Sequence, residues 1–361
     1  MKRRDFIKTT SAAAIAAPTL SLLSNDIRAA RKEKIKVGQI GTMHAHASGK
    51  LATIRKFSDQ YELIGVVEPN AERRAQLKTN STYRDVHWLT EKELLGTKGL
   101  QAVAVETEVR DLLGAAARCI DAGVHIPLDK PAGTSLPEFK RILDSATKQN
   151  LVVQMGYMYR YNPAFRFLFD AIRSGWLGNI FEVHAVMSKT VGDASRKKLA
   201  EFSGGSMFEL GCHLIDAVVS VLGKPDKVTP YIRRTRSEKD TLADNCLAVF
   251  DYPKATATVR SALMEVDGFR RRQFVVCGDK GTITIRPLEP PVLELTLDQP
   301  QGDFKKGTQK VELPRLEGRY DGDFQDLAKI IHGDKKSDFP PSHDLAVQEA
   351  ILRASGMPID S

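Results

Sequence analysis

Apolar runs in the first half of the chain alternate with stretches of helical period. Short runs at 35–40, 61–67, 102–105, 125–128 and 151–154 are interleaved with segments at 47–58, 71–78, 111–122 and 136–148 whose apolar residues recur every three or four positions. Strands joined by helices of this length predict a parallel sheet with crossover helices. Near residue 156 the pattern changes. It predicts a helix over 163–174 stopped by Gly175, a strand over 180–188, a loop rich in Lys, Gly and Ser, and a helix over about 206–222. Strands follow at 228–236, 245–251, 255–264, 272–277 and 281–286, close enough together for an open, mostly antiparallel sheet with helices on one face. No element is read in 287–317, which is rich in Pro, Gly and charge; helices over 322–332 and 343–354 close the chain.

Composition narrows the class. With 361 residues, 42% hydrophobic and 27% charged, the chain is globular and long enough for two domains. The net charge of +8 overstates its basic character, because residues 1–29 contribute +3 of it. The clusters Arg233-Arg234 and Arg270-Arg271-Arg272 lack the interleaved aromatics of nucleic-acid surfaces, so no nucleic-acid partner is expected. The start is distinctive: Arg3-Arg4-Asp5-Phe6-Ile7-Lys8, a small-residue apolar stretch from Ala12 to Leu23, then Ile27-Arg28-Ala29. This pattern predicts an export signal of twin-arginine type over 1–29, addressing a folded protein to the periplasm. The stretch is too short and weakly apolar for stable membrane insertion. Cys119, Cys212, Cys246 and Cys277 are isolated and are expected as buried thiols, with neither a zinc set nor a disulfide framework.

The first chemical motif is Lys36-Val37-Gly38-Gln39-Ile40-Gly41-Thr42-Met43-His44-Ala45-His46. A strand, a glycine turn and a helix place backbone N–H groups where a dinucleotide pyrophosphate can bind. In the three-glycine frame Gly41 is the first glycine, while Met43 and His46 occupy the other two positions. Thr42, Met43 and His44 are therefore expected against the cofactor. Glu68 closes the second strand, where a carboxylate accepts from the adenosine ribose and favours NAD. Arg73 and Arg74 follow, so a 2′-phosphate and NADP remain the second reading. His44 and His46 diverge in a turn, and no neighbouring Cys or acid completes a ligand set; turn or cofactor contacts are expected and a metal is not.

The second constellation is Leu128-Asp129-Lys130-Pro131, then Gly156-Tyr157-Met158-Tyr159-Arg160-Tyr161-Asn162-Pro163, then Gly204-Gly205-Ser206-Met207-Phe208-Glu209-Leu210-Gly211-Cys212-His213. In this order the motifs resemble those of the glucose-fructose oxidoreductase and inositol dehydrogenase family, over roughly residues 34–350. Lys130 matches the lysine of its E-K-P motif, with Asp129 replacing Glu. Arg160 and Asn162 match its Y-R-x-N-P segment, and Glu209 and His213 its D-x-G-x-H segment, with Glu replacing Asp. Thr107 is kept after the fourth strand and, with Lys130, is implied on the cofactor side, while Glu108 and Leu112 depart from the pattern. The resemblance implies an α/β protein, a Rossmann nucleotide-binding domain over 34–155 followed by an α+β domain with an open, mostly antiparallel sheet over 156–361. It implies a sugar or polyol substrate, NAD or NADP as cofactor, and a homodimer or homotetramer.

The residue chemistry agrees. Oxidising a secondary alcohol needs a base for the hydroxyl proton while a hydride goes to nicotinamide. His213 is the expected base and Glu209, four residues earlier on a helix, its orienting partner. Lys130 supplies positive charge to a developing alkoxide. Tyr157, Arg160 and Asn162 are expected on the substrate side. Two other readings stand beside this one. The first is a glycosidase or lyase using tightly bound NAD in a closed oxidation, elimination, hydration and reduction cycle. The second is a non-catalytic carbohydrate-binding protein.

Overall fold

The computed structural model describes residues 32–315 and 317–360, so the export signal expected over 1–29 lies outside the described residues. The first sheet holds β1 (Ile35–Ile40), β2 (Tyr61–Val67), β3 (Trp88–Leu89), β4 (Ala102–Val105), β5 (Ile126–Leu128) and β6 (Val153–Met155). Their order is β3-β2-β1-β4-β5-β6 and every pairing is parallel. Strands covered on both faces read as unbroken apolar runs, and all four residues of β4 are buried. The strand order reverses between β1 and β4, which opens a crevice at their carboxyl ends. β3 and the short helix Glu91–Leu95 were not expected, since two residues are too few to show a period.

The helices follow their local chemistry. In Leu136–Lys148 the Ser135 hydroxyl accepts the Glu138 amide, a proline sits in the first turn, and Phe139, Ile142, Leu143 and Ala146 form the buried stripe.

The second sheet holds β7 (Ile180–Ser188), β8 (Lys227–Arg233), β9 (Asn245–Asp251), β10 (Thr256–Ala262), β11 (Gln273–Gly278), β12 (Gly281–Leu288), β13 (Pro291–Leu297) and β14 (Gly307–Val311). Its order is β14-β13-β12-β11-β7-β10-β9-β8; β7 and β10 pair parallel and the other neighbours antiparallel. The α/β class and the mostly antiparallel second sheet are as expected. β13 and β14 are corrections, lying in the stretch where no element was read. Their signal is the alternation that buries Leu293, Leu295 and Leu297, masked by the flanking prolines and glycines. A short helix, Asp193–Leu199, also lies in the expected loop.

The helix Asp321–Ile331 returns to the first sheet. Tyr320, Phe324, Leu327 and Ala328 are buried with Ile35, Val37, Ile54, Tyr61, Ala102 and Ala104, and the Tyr61 hydroxyl donates to the Phe324 carbonyl at 2.6 Å. The segment expected as a second domain over 156–361 thus lends a helix to the first sheet, covering apolar surface beside Ala47–Lys56. The last helix, Pro341–Ala354, ties down the segment after β5: Gln348 accepts the Ala132 amide at 3.2 Å and donates to the Gly133 carbonyl at 2.8 Å.

Candidate active site

The turn after β1 presses against the end of β4. Gly41 has φ +87°, and a Cβ there would lie 2.6 Å from the Thr107 amide nitrogen, so only glycine fits. A cavity of about 1000 Å³ opens beside this contact, lined among others by Gly41, Met43, Glu68, Trp88 and Thr107. Glu68 is buried; its carboxylate accepts the Thr42 hydroxyl at 2.6 Å and the Asn70 amide at 3.0 Å. Arg73 clamps the turn, its guanidinium donating to the Thr42 carbonyl at 3.0 Å and hydroxyl at 3.3 Å. Arg74 donates to the Pro69 carbonyl at 3.0 Å and lines the cavity. Met43 is exposed at the cavity wall, where its flexible thioether can yield. A glycine cradle, a buried carboxylate and a cavity of this size fit the adenosine half of a dinucleotide.

Lys130, after β5, reaches across to the second domain. Its ammonium donates to the Glu209 carbonyl at 2.6 Å and lies 3.4 Å from Glu209 Oε1. Burial opposes that charge; Cys212, Glu209 and Asp129 outweigh it, so Lys130 stays an ammonium. Of these neighbours the carboxylates carry charge, since burial pushes the Cys212 thiol up to about 12. Glu209 remains ionised down to about pH 2, because the cations Lys130 and Lys189 overcome its burial. His213 is 2% exposed, and burial followed by the nearby Lys130 charge holds its imidazole neutral, well below the usual range. Its Nδ1 is buried without a hydrogen-bond partner. Tyr157, Tyr159 and His46 surround its ring at centroid distances of 6.2, 6.0 and 6.2 Å.

One expectation about this trio is corrected. Glu209 does not orient His213, because Met207–Gly211 is a π-helical turn running into the α-helix Cys212–Leu222. The wider turn breaks the register that would stack positions four apart, and Glu209 turns to Lys130 and Lys189 instead.

Beneath the cofactor turn lies a charged cluster that the sequence reading missed. Lys50 Nζ sits 2.8 Å from Glu106 Oε1 and 3.0 Å from Asp129 Oδ2, with all three side chains almost fully buried. Burial and the neighbouring Asp129 push Glu106 well above the usual carboxyl range, so it keeps its proton. Despite its own burial, Asp129 is held ionised by His44, Lys50 and His46. It lies 2.9 Å from His44 Nδ1 and 3.1 Å from His46 Nδ1, and accepts the Lys130 amide at 2.7 Å. The two histidines therefore do meet an acid, contrary to the reading of local sequence, and the three ligand atoms lie within 4.8 Å of one another. The Lys50 ammonium already supplies the positive charge that a metal would bring. A signal for this cluster existed: a lysine on the buried face of the first helix and a glutamate directly after the all-apolar β4.

The expected substrate residues divide. Tyr157 packs edge-on against His213. Arg160 is a correction: it is 1% exposed, and its guanidinium pairs with Asp216 at 2.6 Å and Asp344 at 2.5 Å, leaving no face for a substrate. Asn162 is another, since its side chain caps the helix Pro163–Arg173 by accepting the Ala164 amide at 2.9 Å. Tyr320, with its ring centroid 5.7 Å from that of His46, joins the site from the returning helix and was not foreseen.

Comparison with known proteins places this geometry. Residues 35–157 match the family described as "Oxidoreductase family, NAD-binding Rossmann fold", and residues 165–284 match the "GFO/IDH/MocA C-terminal domain". The uncharacterized oxidoreductase YhhX of Escherichia coli K12 is 28% identical over 202 residues, 55% of this chain and 57% of YhhX. The glucose-6-phosphate 3-dehydrogenase of Bacillus subtilis 168 is 26% identical over 238 residues, 60% of this chain and 63% of that enzyme. The matched region thus spans about three-fifths of the length of these relatives. Among solved structures, an oxidoreductase from Agrobacterium radiobacter in complex with NAD+, L-tartaric acid and magnesium superposes with a TM-score of 0.76 at 15% identity, covering 89% of this chain and 96% of that one. The crystal structure of the probable oxidoreductase yhhX gives 0.73 at 21% identity, covering 91% and 98%. These likenesses establish a shared fold. With both of its domains matched in order, the chain belongs to the GFO/IDH/MocA oxidoreductase family.

Proposed function

We propose that the protein is an NAD(P)-dependent oxidoreductase acting on the hydroxyl carbon of a sugar or polyol, with NAD preferred. The observation that carries the reading is the meeting of Lys130 from the first domain with Glu209 from the second, beside the neutral imidazole of His213. Bound NAD would supply the hydride acceptor. The chain supplies the rest. Glu68 and the Gly41 turn would hold the adenosine and pyrophosphate; Glu209 keeps Lys130 charged and placed; Lys130 stabilises the alkoxide as it forms; and a neutral imidazole receives the proton. We extend the proposal to location: Arg3 and Arg4 address the folded chain to the periplasm, where a tightly held nucleotide would travel with it.

NADH titration tests the cofactor through energy transfer from Trp88, which lines the cavity. Saturable transfer is expected, together with NAD+ reduction on at least one member of a panel including D-glucose and myo-inositol. Lys130→Ala should lower turnover roughly 10²- to 10³-fold with little change in NADH affinity. Absence of NADH binding would remove the oxidoreductase reading.

A further inference from the structure

The proton-accepting side of this site holds a second imidazole, that of His46, and unlike the first it has a carboxylate on its Nδ1. Burial outweighs that carboxylate and lowers the imidazole pKa to about 4, so the ring is neutral. His46 precedes the helix Ala47–Lys56 in the cap position, yet its side chain makes no capping hydrogen bond. Its ring turns inward instead, with Nδ1 3.1 Å from Asp129 Oδ1 and its centroid 6.2 Å from that of His213. The side chain keeps 14% of its surface open while Asp129 has none. That carboxylate takes Nδ1, and among the described residues the other ring nitrogen, Nε2, has no hydrogen-bond partner.

A buried carboxylate on Nδ1 does two things for an imidazole. It fixes the tautomer that leaves the lone pair on Nε2, and it stabilises the imidazolium formed when that lone pair takes a proton. Asp129 suits this role, because the Lys50 ammonium at 3.0 Å and the Lys130 amide at 2.7 Å keep it anionic and fixed. His213 lacks any such partner, since its Nδ1 is unpaired. Two departures from the family pattern thereby explain each other. His46 fills a glycine position of the turn, and Asp129, which stands where the family has Glu, is the carboxylate its ring meets.

We infer that His46 is a catalytic base of this site, with Asp129 as its positioning residue and His213 as a second hydrogen-bonding group for the same hydroxyl. This rests on the function proposed above and names its proton acceptor. As the carbinol carbon gives its hydride to nicotinamide, the C–H bond breaks and its electron pair reduces NAD+. The O–H bond breaks in the same step, the carbonyl forms, and the hydroxyl proton goes to His46 Nε2 and from there to solvent.

Two measurements test the assignment. On the wild-type protein, diethyl pyrocarbonate at pH 7 should acylate His46 faster than His213, read by peptide mass spectrometry, and saturating NADH should slow labelling at His46 several-fold. Equal labelling of the two histidines, or labelling at His46 indifferent to NADH, would overturn the proposal without any variant having to fold. In turnover, His46→Ala and His46→Asn should both lose roughly 10²- to 10⁴-fold in kcat while NADH affinity stays within about threefold. The Asn amide can keep the bond to Asp129 but cannot act as a base, and added imidazole should restore part of the His46→Ala rate. Wild-type turnover in His46→Asn would overturn the role of His46 and leave the oxidoreductase reading intact. A wild-type protein that binds no NADH removes both.

Discussion

Lys50 carries an ammonium into the interior, where an unpaired charge would cost several kcal/mol, and it is tolerated because Asp129 and Glu106 lie within 3.0 Å. The two carboxyl groups are not equivalent. Asp129 is ionised and Glu106 holds a proton, so one anion balances one cation. The consequence is an asymmetric response to mutation. Glu106→Gln, which copies a protonated carboxyl in shape, should change unfolding free energy by no more than about 1 kcal/mol. Lys50→Met leaves Asp129 buried without its cation and should cost about 3–5 kcal/mol. Urea unfolding of the two variants checks both values, and similar losses would contradict the assigned protonation. Gly156 records how closely the cluster is packed, since a Cβ there would lie 2.7 Å from Lys50 Nζ.

At the scale of elements, two segments place the chemistry. The π-turn Met207–Gly211 aims Glu209 at the lysines, while the α-helix after it carries His213. The returning helix Asp321–Ile331 brings Tyr320 to the site and buries Asp323 against β6, where Gln154 donates to the Asp323 carbonyl at 2.8 Å. Burial pushes the Asp323 carboxyl up to about 7, opposed by Lys50 and Arg160 and reinforced by Asp129. Because the folded state binds this proton more tightly than the unfolded one, the contribution is fully present below about pH 4. It is lost as pH rises to about 7. Asp323→Asn should therefore gain on the wild type through that window, reaching up to roughly 4 kcal/mol above pH 7. Denaturant midpoints of both proteins from pH 4 to pH 8 measure the difference, and a constant gap would refute the shift.

For the whole molecule, the chain's far end completes its beginning. Phe324 is 1% exposed and lies against residues of β1, β2 and β4, although it follows them by more than two hundred positions. Phe324→Ala should cost about 3–5 kcal/mol. Trp88 in the first sheet and Trp176 beside the second should report one common unfolding transition, shifted together by the mutation. Separate transitions would show that the returning helix does not couple the two parts.

Local order along the chain settled whatever depends on near neighbours. Period marked most strands and helices, the strand-glycine-helix order marked the Gly41 turn, and the resemblance to the family's motifs drew Lys130, Glu209 and His213 together as a shared site. Asp129 was equally visible as a departure from the family motif, yet its partners lie 83 positions away in His46 and 79 in Lys50. Pairings of that kind depend on how β5 settles beside β4 and the first helix, so no local pattern encodes them. The same holds for Arg160, whose charge reads as a substrate contact until Asp216 and Asp344 close around it, and for Glu209, where one wide helical turn changed the partner. Tertiary structure decided these because a buried charge must find its counter-charge wherever the packed chain provides one.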